Sequence, residues 1–166
     1  MRILLASLAL ALLSGCGLSP MYAGGGSGMV AQSLAAIEVA PIEGRAGWLV
    51  RSALEERLGA AGQANARYRM DVRLDDQLEG LAVLRDDTIS RERRTLRARY
   101  QLVDLATGEI VLDATDGSDA GIDVVSSEYA VIAAEQTALQ NLSQDLAQRM
   151  VTRIALALQR QGDAAQ

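Results

Sequence analysis

Five arginines crowd into one short stretch, Arg91, Arg93, Arg94, Arg97 and Arg99, with Glu92 the only other charge among them. In extended backbone, side chains alternate between two sides, so Arg91, Arg93, Arg97 and Arg99 share a face. A ladder of guanidinium forks at that spacing suits phosphate or carboxylate groups, which accept two parallel N–H bonds. The same arginines have a second use. Asp71 and Asp75 upstream and Glu109 and Asp113 downstream could pair with them across a sheet. Both readings stay open. Arg91, Arg93 and Arg94 lie closest to the Arg85-Asp86-Asp87-Thr88 turn and have the fewest acidic partners. They are therefore the ligand candidates.

Other chemistries find little support. The chain has no His, the commonest general base and metal ligand. Its single Cys has no His to activate it, and no glycine-rich phosphate loop precedes a helix. Asp116, Asp119 and Asp123 lack the spacing and closing Glu of a calcium loop and read as a solvated turn. The formal net charge is −5, which argues against a nucleic-acid partner. Every basic residue is Arg. The expectation is a non-enzymatic chain with no metal and no cofactor.

The amino terminus explains the lone cysteine. Arg2 precedes the apolar run Ile3–Leu13, which is too short to span a bilayer but has the length of a signal-peptide core. It ends in Leu13-Ser14-Gly15-Cys16, which resembles the lipobox of bacterial lipoproteins. That resemblance implies cleavage before Cys16 and acylation of its sulfur and new amino group. Each buried CH₂ would contribute about 0.8 kcal/mol, so several chains hold a domain at a membrane. Residues 16–33, with Gly24-Gly25-Gly26-Ser27-Gly28, read as a flexible tether, and 162–166 as a disordered carboxyl terminus.

Residues 34–161 then carry one domain. Leu34–Val39 alternates as a strand that Pro41 ends, and Ala46–Ala60 has helical spacing with Trp48, Leu49, Val50, Ala53, Leu54 and Leu58 on its apolar side. Tyr68, Met70, Val72 and Leu74 alternate with charged residues in a second strand, which continues past Gly80 toward Leu84. A third strand returns from Ile89 to Leu105. Ala106-Thr107-Gly108 turns into a fourth, Glu109–Thr115, and Asp116–Val125 has loop composition. Ser126 or Ser127 caps a final helix from Glu128 to Arg160 whose apolar stripe runs from Ile132 to Leu158. The order β-α-β-β-β-α predicts an α+β two-layer sandwich, with two helices on one face of a four-stranded sheet. The other face stays polar and uncovered.

The chain is similar to the LptE family, outer-membrane lipoproteins of lipopolysaccharide transport, in its alphaproteobacterial form. The likeness rests on Leu13–Gly17 followed by Ser19-Pro20-Met21-Tyr22, on Arg94–Leu102 leading to Gly108, and on Ser127-Glu128-Tyr129-Ala130 opening a long alanine-rich helix. Leu18 replaces the Phe common after the cysteine. The resemblance implies a plug inside an LptD-like outer-membrane β-barrel, assisting its assembly and binding lipopolysaccharide, with the domain facing the periplasm or barrel lumen. A different reading is an auxiliary lipoprotein of a phospholipid-transport ABC system, with similar lipobox and α+β pattern but no barrel partner.

Overall fold

The computed structural model describes residues 29–59, 65–83 and 89–164. The leader, Cys16, the glycine-rich stretch and the 85–88 turn lie outside the described residues. The elements are α1 (Met29–Ala35), β1 (Ile37–Val39), α2 (Gly44–Leu58), β2 (Tyr68–Val83), β3 (Ile89–Asp104), β4 (Ile110–Asp123) and α3 (Glu128–Ala164). The expected α+β class and two-layer arrangement are observed. The sheet order is β1-β2-β3-β4. β1 lies parallel to β2, which requires a crossover connection, and α2 supplies it; the remaining pairs are antiparallel.

Alternation sets the core. β3 turns Leu96, Ala98, Tyr100 and Leu102 toward the helices, where they meet Ile37, Val39, Val50, Leu54 and Met70. From α3 come Leu139, Leu142, Leu146, Met150, Ile154 and Leu158, at the three- and four-residue steps of one helical stripe. At the other end of that stripe Ile132 is exposed. The core therefore fills the half of the sheet that β1 and α2 cover. Beyond it, β2 is exposed on both sides from Asp75 to Leu81. The sheet leaves the core as a three-stranded arm lined by α3 alone.

Three local expectations are corrected. Residues 29–35 form α1, not the end of a tether and the start of a strand, so β1 is only three residues long. The Asp/Gly/Ser-rich segment 116–123 is strand, not loop. Its turn-forming composition yields to the length of β3, whose Arg91–Ala98 pairs residue by residue with Asp116–Asp123. Trp48 is not core but 67% exposed. The buried stripe of α2 is Gly47, Val50, Leu54 and Leu58, which rotates Trp48 outward.

Gly47 sets that rotation. A Cβ there would stand 2.5 Å from the Ile42 carbonyl oxygen and 2.9 Å from its Cγ2. The helix closes at Gly59, whose left-handed φ of 67° lets its N–H reach the Glu55 carbonyl. The β3–β4 hairpin turns through Gly108 at φ 73°, and Asp104 Oδ1 accepts from the Ala106 N–H at 2.8 Å. Two sheet edges remain without a strand partner among the described residues, β2 after Met70 and the outer side of β4.

Replacing Gly47 with Ala should destabilise the domain by about 1–3 kcal/mol, the usual cost of forcing an atom into a filled contact. Urea unfolding followed by circular dichroism measures it. An unchanged midpoint would mean the α2–Ile42 approach relaxes freely.

Candidate functional site

The face of the sheet away from the helices is polar across three strands. The register places Arg69, Asp71, Arg73, Asp75, Gln77 and Glu79 on β2 beside Val103, Gln101, Arg99, Arg97, Thr95 and Arg93 on β3. On β4 the same face carries Asp113, Thr115, Gly117, Asp119, Gly121 and Asp123. From Arg91 to Arg99 the ladder extends about 26 Å at the usual rise of a strand.

Some of these arginines pair with other described residues and some do not. Arg91 Nε lies 3.5 Å from Asp123 in an exposed pair. Arg99 donates to Asp113 at 3.1 Å, and Gln101 donates to the same carboxylate at 2.8 Å. The Arg99 bond, then that of Gln101, holds the Asp113 carboxyl below the usual range. Arg93 and Arg97 make no ion pair with any other described residue, although Glu79 and Asp75 stand directly opposite them. Asp75 accepts from Gln77 instead, at 3.1 Å. Exposed pairs of this kind contribute little to stability, so the ladder is not explained as a staple.

Arg73 was not singled out by sequence, yet the register sets it directly opposite Arg99. Like charges facing across a ladder destabilise it. Asp113 offsets Arg99, while Arg73 has no ion-pair partner among the described residues. The signal was present in the alternation of β2 but needed the register to be seen.

The structure does not bring the three sequence candidates together. Arg91 and Arg93 sit on the open face. Arg94 points the other way, its side chain only 16% exposed, and grips Asp76 through bonds of 2.8 and 2.7 Å. Its Nη1 also donates to the Glu135 carbonyl of α3 at 3.2 Å. The Asp76 bond raises the guanidinium pKa further, against the opposing effect of burial. Arg94 thus ties the arm of the sheet to α3. The three aspartates read as a solvated turn are also divided: Asp119 and Asp123 share the open face, whereas Asp116 lies on the helix side.

There Asp116 accepts from Tyr100 Oη at 2.6 Å and from Arg153 at 2.8 Å. Burial, with help from that carboxylate, pushes the Tyr100 phenol up. About two turns along α3, Asp145 accepts from Ser118 Oγ at 2.5 Å and from Arg149 at 3.0 Å. These two bonds, Ser118 first, hold its carboxyl below the usual range. For Asp104 the Ala106 N–H is the main cause of the same shift.

Two outcomes follow from this geometry. Arg94→Ala should cost about 1–3 kcal/mol, the penalty for leaving part-buried charged partners unsatisfied, read as a lower urea midpoint. Asp104, Asp113 and Asp145 all have lowered folded-state values, so the unfolded chain takes up protons first as pH falls. Stability should be full above the ordinary carboxylate range near pH 4 and decline below it. Asp145→Asn should remove part of that decline; an identical acid profile would show that the Ser118–Asp145–Arg149 contact contributes nothing.

Comparison with known proteins places this geometry. The structure is similar to a candidate lipoprotein from Caulobacter crescentus, with a TM-score of 0.68 at 24% identity, covering 80% of this chain and 96% of that one. It is also similar to a minor lipoprotein from Acinetobacter baumannii (TM-score 0.59, 14% identity, 72% and 90% covered). Rare lipoprotein B from Shewanella oneidensis matches too (TM-score 0.55, 11% identity, 76% and 96% covered). At these identities the likeness establishes the fold. No curated protein sequence matches the chain. The LptE profile, described as lipopolysaccharide-assembly, matches residues 34–154, from the end of α1 through most of α3. The chain belongs to the LptE lipopolysaccharide-assembly family.

Proposed function

We propose that the protein is a lipid-anchored, non-enzymatic subunit of lipopolysaccharide assembly at the outer membrane. In this reading Cys16 carries the acyl chains and the domain occupies the lumen of an LptD-like β-barrel. There it supports the barrel's assembly and passes lipopolysaccharide toward the surface. Family membership supports the general role. No described helix is long and apolar enough to cross a membrane.

The observation that carries the ligand part is the uncovered face, where Arg93 and Arg97 have no ion-pair partner among the described residues and Arg91 has an exposed one. Arg91 and Arg93 contact anionic groups of the glycolipid, and Arg94 positions the arm that presents them. A polar face also suits the interior of a large barrel, where wall and water are polar. An anionic ligand would relieve the mutual repulsion of the ladder, whereas an apolar one would bury unpaired guanidiniums at high cost.

The test replaces Arg91 and Arg93 together with Glu. Lipopolysaccharide binding should weaken at least tenfold while circular dichroism stays unchanged. Unaltered binding would overturn the ligand assignment. Affinity purification of the full chain from outer membranes tests the partner: a stoichiometric barrel protein is expected, and transporter subunits without a barrel would move the protein to phospholipid transport.

A further inference from the structure

Midway along the open face, β4 places a glycine where a side chain belongs. Gly117 stands directly opposite Arg97, and a Cβ built on it would meet the Arg97 Cγ at 3.0 Å. The missing atom leaves the arginine stem lying against bare backbone. Beside this pair lies a hollow of about 340 Å³, lined by Thr95, Arg97, Thr115, Gly117 and Asp119, with Asp116 and Ser118 of β4 completing its wall. The volume lies at the small end of ligand sites, a size for one ring rather than a whole lipid.

Four of the polar side chains around this hollow are unused, while Asp116 and Ser118 are engaged with α3. Thr95, Arg97, Thr115 and Asp119 form no side-chain hydrogen bond or ion pair with any other described residue. Thr95 faces Asp119 across the ladder, one outward position from the Arg97–Gly117 pair, and Thr115 flanks that pair on the opposite side. Their combined chemistry is specific. Arg97 calls for an anionic oxygen, Asp119 for hydroxyl donors, and the threonine hydroxyls serve either way. A bare phosphate would satisfy Arg97 but stand against the Asp119 carboxylate. A neutral sugar would satisfy Asp119 and leave the guanidinium idle. A sugar ring bearing a carboxylate meets both.

We infer that the Gly117 hollow binds one acidic monosaccharide unit, its carboxylate on Arg97 and its ring hydroxyls on Asp119, Thr95 and Thr115. This deepens the glycolipid reading above, on which its biological source rests, by naming the part of the molecule that the centre of the face would hold. The site is separate from Arg91 and Arg93, which lie farther along β3.

The experiment is a nuclear magnetic resonance titration of the full chain in nonionic detergent, following the backbone amides and the Arg97 Nε–H. One arm adds methyl glucuronide as a free sugar; the other adds glucuronosyl diacylglycerol to the micelles. Shifts should centre on residues 95–97 and 115–119. Arg97→Gln should weaken the response at least tenfold, and Gly117→Val should do the same by filling the hollow. Arg45→Gln on α2 should leave it unchanged. A response to the free sugar assigns a soluble ligand, and a response to the glycolipid alone assigns a headgroup. An equal response to methyl glucoside overturns the inference, as do shifts centred on Arg91 and Arg93 or a response that Arg97→Gln leaves intact. Because neither probe carries phosphate or is lipopolysaccharide, this result separates from the test of the wider reading.

Discussion

A strand offers alternate residues to opposite sides, and β3 is the strand on which that rule bears hardest. Its inward residues, Leu96 to Leu102, hold the two layers together, while its outward residues include Arg91, Arg93, Arg97 and Arg99. A slip of one residue would drive guanidiniums into the core and leucines into water. The register is therefore fixed from within by the energy of the core. The outer face can then carry charges that make no stabilising pairs, because nothing in the fold depends on them. The pleat itself frees the composition of this face from the demands of the core.

The helix α3 meets the sheet in two ways along its length. Over the core its contact is apolar, through Leu146, Met150 and Ile154. Polar contacts run alongside it, Asp116 with Tyr100 and Arg153 level with the core, Ser118 with Asp145 farther on, and Arg94 with the Glu135 carbonyl in the arm. Directional bonds of this kind set orientation more than they add to stability. They hold the arm's angle to the helix where too little apolar surface remains to do so. The open face thus keeps its shape beyond the limit of the core.

The architecture could be read from the sequence because it rests on periodicity. The alternation of Tyr68–Leu74 and of Leu96–Leu102, and the long stripe of α3, each have one satisfactory burial. What escaped the reading was decided by partners rather than by local composition. Residues 116–123 look like a loop until β3 is there to pair with them. Trp48 looks like core until Gly47 is seen to fit against Ile42. Arg94 looks like its neighbours until its parity is counted, which puts it on the other side of the sheet with Asp76. The Arg73–Arg99 opposition and the Gly117 hollow depend on register between strands far apart in sequence, and no local pattern encodes register.

The free edge of β4 has a consequence for the protein's behaviour in company. Unpaired strand edges are templates on which other chains add, and this one is fourteen residues long. It carries Asp113, Asp116, Asp119 and Asp123, an acid every three or four residues, with Gly117 and Gly121 among them. The exposed edge of β2 is likewise acidic at Asp71, Asp75, Asp76 and Glu79. Two copies meeting along their β4 edges would bring carboxylates against carboxylates. The same residues that lower the charge of the chain weigh against such pairing, and they would favour a neighbour that brings positive charge of its own.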